Sequence, residues 1–422
     1  MVTAGIIAEY NPFHKGHQYH IEETRKKTNA DYVIVVMSGD FVQRGEPAIA
    51  DKYFRTELAL KGGVDLVLEI PAVYATASAE YFATAGVKLL HQLHCVDYLS
   101  FGSEWASVDD YELYVQLLVE ESPEYQSHLQ EGLRQGKSFP LARMDALCQI
   151  MEKQGRNREE IKSFLSEPNH ILGLEYMKSL RRLQSDIVPV TVGRRGAGYH
   201  EEKIIEGFPS ATSLRLELKK GRSTIINGGM YTGAEQLVDR YMRGDFVQWE
   251  DLMPYLEYIY MTEFRFARWS DENNNLDYFG VDDEMCRRFS NQFQLGYSFE
   301  ELIGHLHTKR LTDATWRRGL LHMVRKMTDY DFLKKAAEIP VPYARVLGFS
   351  GKATPLLKKI REKARLDVIQ KPSMGRRLYP QGSIEAEIIG MDILAADLYE
   401  QIAAKKSSRK FRPELTRQQV IN

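Results

Sequence analysis

Cysteine is scarce: the 422 residues hold three, Cys95, Cys148 and Cys286. Far apart and odd in number, they exclude a disulfide framework and a paired-thiolate metal site, and they fit a reducing, cytoplasmic setting. Long apolar runs are missing too. No stretch approaches the roughly 20 residues that span a bilayer, so no membrane partner is expected. The opening residues lack the basic, apolar and small-residue order of an export leader. Internal repeats and low-complexity tracts are absent. No charge sign dominates the whole chain, whose net charge is −2. Its parts differ, however: residues 341–422 carry 16 Lys+Arg against 8 Asp+Glu, and the preceding 340 carry 40 against 50. That basic tail is either a solvated helical surface or the grip for a polyanion held away from the main site.

What is present is ordinary globular composition, with 43% apolar and 27% charged residues, and length for two or three domains. Short, near-continuous apolar runs at Gly5–Ala8, Tyr32–Met37, Asp65–Glu69, Tyr98–Phe101 and Ile187–Val192 suit strands buried on both faces. Helical patterns separate them at Gly16–Thr28, Pro47–Lys61 and Ala77–Leu93. This alternation predicts an α/β fold with a Rossmann-like, doubly wound parallel sheet, whose ligands bind at the carboxyl ends of the strands. Residues of about 106–180 read as a helical insertion. After about Gly233 the strand signals fade, so the expected division is 1–232 for the α/β domain and 233–422 for a mostly helical one. The segment from about Lys405 is polar and basic and is expected to fray.

Polar clusters follow the candidate strands. The first strand breaks into Glu9-Tyr10-Asn11-Pro12-Phe13-His14-Lys15-Gly16-His17. A strand that turns at a proline and restarts as a helix presents free backbone N–H groups, a ready anion site. Two imidazoles there can donate hydrogen bonds to charge developing on phosphates, and Gly16 lets a bulky group approach. His14, His17 and His20 also have a spacing that suits a metal, but no acidic or cysteine partner adjoins them. The second cluster, Ser38-Gly39-Asp40-Phe41-Val42-Gln43-Arg44-Gly45-Glu46-Pro47, holds groups that orient a carboxylate or phosphate, or else a turn leading into a helix at Pro47. Phe101-Gly102-Ser103-Glu104 ends the fourth strand, Asn169-His170 follows Pro168, and Arg194-Arg195 ends the fifth strand. Finally, Pro209-Ser210-Ala211-Thr212-Ser213-Leu214-Arg215 has the hydroxyls and guanidinium of a second phosphate clamp.

His14-Lys15-Gly16-His17 resembles the H-x-G-H signature of the HIGH-type nucleotidyltransferase superfamily, and the 209–215 segment is similar to its I-S-S-T-x-I-R-type motif. More narrowly, G-I-I-A-E-Y-N-P-F-H-K-G-H, M-S-G-D-F-V-Q-R-G-E-P-A, F-G-S-E, S-E-P-N, P-S-A-T-S-L-R and the R-V-L-G-F run at Arg345–Phe349 resemble the bacterial tRNA(Met) cytidine acetate ligase family along the whole chain. Asp40, where Asn is expected, and Ala211, where Ser is common, depart from the pattern.

The resemblance implies a ligase with ATP as co-substrate and Mg²⁺ bound through it, with no protein metal ligand. Acetate would be activated as acetyl-adenylate, then transferred to N4 of the wobble cytidine of elongator tRNA(Met). It implies catalytic roles for His14, His17, Ser213 and Arg215. ATP would contact Ile7, Ala8, Glu9, Tyr10, Asn11, Pro12, Phe13, His14, Lys15, Gly16, His17, Gln18, Tyr19 and His20, with Gly102, Asn169, Arg194 and Arg195. Acetate would sit near Ser38, Gly39, Asp40, Gln43 and Arg44. The tRNA would be gripped by Lys352, Lys358, Lys359, Lys405, Lys406, Arg409 and Lys410. Two other readings are an adenylyltransferase acting on a small metabolite and a non-catalytic RNA-binding module.

Overall fold

The computed structural model describes residues 1–105, 107–194, 209–221, 228–230, 232–265, 277–328 and 331–422. Five parallel strands form its frame: β1 (Thr3–Ala8), β2 (Tyr32–Ser38), β5 (Leu66–Ile70), β6 (Tyr98–Ser103) and β7 (Val188–Gly193), in the order β5-β2-β1-β6-β7. A two-stranded hairpin, β3 (Phe41–Val42) and β4 (Glu46–Pro47), stands apart after β2. From β1 the chain winds through α1 (Lys15–Thr28) to β2 and through α2 (Lys52–Lys61) to β5. It then crosses back through α3 (Ala72–Ala75) and α4 (Ala79–Gln92) to β6 on the far side of β1. The strand order therefore reverses between β1 and β6, which opens a crevice at their carboxyl ends.

Alternate residues of the strands feed two cores. Ile7, Ile34, Val36, Leu66 and Leu68 pack with α4 on one face. Ile6, Val33, Val35 and Val67 pack with Ile21, Phe54 and Leu58 of α1 and α2 on the other. This two-sided burial explains the continuous apolar runs of β1, β2 and β5. Strand β7 differs from expectation: it is a sheet edge and is largely half-exposed. Between β6 and β7 lie α5 (Val108–Glu120), α6 (Pro123–Arg134), α7 (Phe139–Lys153), α8 (Arg158–Ser166) and α9 (Pro168–Arg182). Helix α9 packs on α4, and α5 packs on α9.

One local expectation, the helix start at Pro47, gives way. Pro47 pairs with Phe41 in the hairpin instead of opening a helix. Helix α2 starts at Lys52 because the Asp51 carboxylate caps it, accepting from the Tyr53 and Phe54 N–H groups at 2.9 and 3.0 Å.

Residues 233–422 are mostly helical, around a core that includes Trp249, Leu256, Phe289, Phe299, Trp316 and Tyr399. They also return to the sheet, which the fading strand signals did not anticipate. Strand β8 (Tyr343–Phe349) pairs antiparallel with β5, and β9 (Asp367–Ile369) and β10 (Val420–Ile421) pair parallel with β8. A seven-residue run that is apolar apart from Arg345 carries no period that tells a strand from a buried helix. The final segment does not fray. Glu414 is buried, Arg409 and Arg412 bond to Glu400, and the chain ends in β10.

Candidate active site

Helix α1 begins on histidines. His14 has extended backbone, with φ −141° and ψ 174°, and its Nδ1 accepts the Gly16 N–H at 3.0 Å. His17 Nδ1 accepts the His14 N–H at 3.3 Å in return. The two imidazoles thus form a reciprocal N-terminal cap, a job usually done by Ser and Glu. Their rings stack with centroids 3.7 Å apart. Since both Nδ1 atoms accept from backbone N–H groups, the proton of each neutral ring sits on Nε2, a donor away from the cap. Burial, then Arg194 and Arg215, lowers His14 to a pKa of about 3. Burial, then His14, Arg194 and His20, holds His17 well below its usual value. Gly16 is needed because a Cβ there would lie 2.8 Å from the His14 ring.

The two distant motifs converge. Arg215 Nη1 donates to the Asn11 carbonyl at 2.7 Å, across 204 residues, and Nη2 donates to Thr212 Oγ1 at 3.3 Å. Helix α10 (Ala211–Lys219), which carries Arg215, opens on Ser210, whose Oγ accepts the Ser213 N–H at 3.1 Å. Between these ends lies a cavity of about 460 Å³ at the carboxyl ends of β1 and β6. Its volume is that of a small-ligand site.

Of the expected ATP residues, Ile7, Ala8, Glu9, Tyr10, Asn11, His14, Gly16, His17, Tyr19, His20, Gly102, Asn169 and Arg194 line this cavity. Pro12, Phe13, Lys15 and Gln18 do not. Phe13 is wholly buried against Tyr10 and Gly62, and Gln18 bonds to Glu22 on the outer side of α1. Arg195 lies outside the described residues. Arg215 lines the cavity but Ser213 does not: its hydroxyl donates back to the Ser210 carbonyl at 2.8 Å, within the first turn of α10. Ser210 and Thr212 face the cavity instead.

The second cluster divides in the same way. Gln43 and Arg44, at the hairpin tip, line the cavity. Gln43 is anchored by Nε2 donating to the Ala77 carbonyl at 3.1 Å. Ser38, Gly39 and Asp40 lie beneath. The Ser38 and Gly39 carbonyls accept from Arg55, and Asp40 Oδ1 accepts the Lys52 N–H at 2.7 Å. They do not line the cavity; a buried guanidinium and a helix start take those acceptors instead. Arg55 itself went unread in the sequence. Fully buried, it also donates to the Glu9 carbonyl at 2.6 Å and to the Ala50 carbonyl at 3.0 Å, drawing the ends of β1 and β2 together. Its one signal was a Lys and an Arg three residues apart in the first turn of a helix, beside Tyr53 and Phe54. Also unread was the apolar wall of Phe82, Phe101, Ile171, Leu172 and Tyr176.

The basic groups expected to hold tRNA fall in two places. Lys352, Lys358 and Lys359 follow β8, whose last residue pairs with the first of β5, and Lys359 Nζ donates to the Met1 carbonyl at 3.2 Å. They sit at the end of the sheet opposite the cavity. Lys406 pairs with Asp251 at 2.7 Å, and Arg409 pairs with Asp245 and Glu400. Lys405 and Lys410 are exposed. The described residues contain no group of three or more His, Cys, Asp or Glu arranged to hold a metal, and no helix long and apolar enough to cross a membrane.

Residues 1–414 match the family model described as HIGH Nucleotidyl Transferase. The chain is 35% identical to tRNA(Met) cytidine acetate ligase of Acetivibrio thermocellus over 100% of both chains. It is 37% identical to the protein of that name from Caldanaerobacter subterraneus subsp. tengcongensis, over 94% of this chain and 95% of the relative. The crystal structure of Thermotoga maritima TmcAL superposes with a TM-score of 0.91 at 30% identity, over 100% of this chain and 99% of that one. A second form of that protein, bound with alpha-thio ATP, superposes with a TM-score of 0.88. With its paired histidines and its distant arginine turn meeting at one cavity, the chain belongs to the HIGH nucleotidyl transferase family, alongside the tRNA(Met) cytidine acetate ligases.

Proposed function

We propose that this protein is an ATP-dependent ligase that joins acetate to N4 of the wobble cytidine of elongator tRNA(Met), releasing AMP and pyrophosphate. The observation that carries the reading is the convergence of the His14–His17 pair and Arg215 on one cavity also lined by Gln43 and Arg44. In the first step an acetate oxygen attacks the α-phosphorus of ATP, and the electron pair of the broken P–O bond leaves with pyrophosphate. The Nε2–H donors of His14 and His17, with Arg194 and Arg215, stabilise the charge that accumulates on the phosphates. Gln43 and Arg44 orient the acetate carboxylate at the hairpin tip. The apolar wall and the recessed site shield the acetyl-adenylate from water. Mg²⁺ comes with the triphosphate and neutralises part of its charge. In the second step the cytidine amine displaces AMP.

Of the basic groups, exposed Lys405 and Lys410 are the ones we assign to tRNA. The Arg409–Asp245–Arg240–Asp51 chain of ion pairs ties them to the start of α2, near the hairpin side of the site. Incubating the purified protein with ATP, labelled acetate and tRNA(Met) tests the reading. Label should reach tRNA, and acetyl-CoA should not replace acetate and ATP. Label that never reaches tRNA while a small metabolite becomes adenylylated would replace this reading with the adenylyltransferase one.

A further inference from the structure

The cavity is basic, faced by His14, His17, His20, Arg44, Arg194 and Arg215. Among the described residues it has one acidic lining side chain, Glu9. In a site for a triphosphate and a carboxylate, an added negative charge opposes both substrates, so Glu9 calls for a role other than anion binding. It follows directly on β1. Its carbonyl is held by Arg55, and its Oε1 accepts the Gln43 N–H at 2.9 Å. Burial raises its proton affinity above the ordinary carboxylate range, and Glu46 adds to this, while the Gln43 N–H, Arg44 and Arg215 act against it. Tyr176 faces it from α9.

The other polar groups of the cavity are poorly suited to accept a proton. Arginines stay charged. His14 and His17 commit Nδ1 to the cap, and His20 Nε2 shares a hydrogen bond with Ser100 Oγ at 3.0 Å. We propose that Glu9 is the general base of the transfer step, taking the proton of the cytidine N4 amine as that nitrogen attacks the acetyl carbonyl carbon. This rests on the acetyl-adenylate reading above. The N4 lone pair forms the new N–C bond. The C–O bond to the AMP phosphate breaks, its electron pair leaves on that phosphate oxygen, and the amine proton passes to Glu9 Oε2 and then to solvent. A base matters here because the exocyclic lone pair is delocalised into the cytosine ring, so N4 becomes a good nucleophile only as its proton departs.

Two measurements on the full-length enzyme test this: acetate-dependent ATP–pyrophosphate exchange, and single-turnover acetyl transfer to tRNA(Met). Glu9→Gln keeps an acceptor for the Gln43 N–H but cannot take a proton. It should slow transfer about 100-fold, and should slow exchange at least about tenfold less than that. Glu9→Asp should recover part of the transfer rate. Transfer by the wild-type protein should fall as acid protonates Glu9, and transfer by the Gln variant should lose that dependence. Equal losses in both measurements, which would assign Glu9 to adenylation or to holding a cation, overturn the proposal. So does wild-type transfer by the Gln variant. If the unmodified protein neither exchanges nor acetylates, the ligase reading itself has failed, a result distinct from either of those.

Discussion

The paired imidazoles at the start of α1 do two jobs with different ring nitrogens. Nδ1 of each satisfies a backbone N–H, and Nε2–H is left for the ligand. Protonating either ring would place a hydrogen on Nδ1 and break the cap, and protonating both would set two like charges on rings 3.7 Å apart. The pair therefore acts as neutral donors. With His14 lowered to about 3 and His20 to about 4, the folded state binds fewer protons than the unfolded one below the usual value of 6.5. Their contribution to stability is full above 6.5 and is lost as pH falls toward 3–4. Adenylation should accordingly show no loss as pH rises through the ordinary histidine range. ATP–pyrophosphate exchange followed from pH 6 to 8 checks this, and a decline centred near 6.5 would mean that an imidazolium is the working species. The identity of these residues was legible in the motif. Their tautomer was not, because it depends on which backbone N–H groups the turn brings to each ring.

The hairpin that carries Gln43 and Arg44 is held against the helix Asp313–Val324. Gly45, at φ +74°, packs so closely there that a Cβ would lie 2.4 Å from the Arg318 backbone nitrogen. That contact is with backbone, which cannot rotate away. Gly45→Ala should destabilise the protein by about 1–3 kcal/mol, read by urea denaturation, and should raise KM for acetate more than KM for ATP as the tip shifts. An equal fold-change in the two KM values would detach the hairpin from the acetate side. The glycines and charges of this segment pointed to a ligand-facing loop, and Gln43 and Arg44 do face the cavity. Ser38, Gly39 and Asp40 were indistinguishable from them in sequence, since any residue's carbonyl can meet a buried guanidinium and a carboxylate that holds a helix start looks the same as one that meets a ligand.

At the level of the whole molecule, the C-terminal segment is locked to the sheet by buried charges. Lys52 Nζ lies 2.7 Å from Glu69 and 2.6 Å from Glu414, and Arg345 pairs with the same two carboxylates. Tyr53 donates to Glu414 at 3.1 Å. Burial alone would raise Glu414, but Lys52 and Arg345 override it and hold the carboxyl at about 2, below its ordinary 4.5. The stability it contributes is therefore present above 4.5 and is lost as pH falls toward 2. Glu414→Gln leaves two buried cations short of a charge and should cost about 3–5 kcal/mol, measured by chemical denaturation at pH 7. A loss under 1 kcal/mol would show the network to be dispensable. The same tertiary placement divides the basic residues. Lys405→Glu with Lys410→Glu should weaken tRNA retention in filter binding and flatten its salt dependence. Lys358→Glu with Lys359→Glu, at the far end of the sheet, should change it little. The reverse pattern would move the tRNA to that end.

The order of strands and helices along the chain and the residues of the two motifs follow from local chain chemistry, because period, turn residues and helix caps act within a few residues. Tertiary structure alone decided that 343–349 is a strand, that the basic tail is ordered and partly neutralised, and that Ser213 turns inward while Thr212 faces the cavity. Each of those outcomes depends on partners hundreds of residues away, or on a rotation of one side chain about a helix start, and neither leaves a mark on the sequence around it.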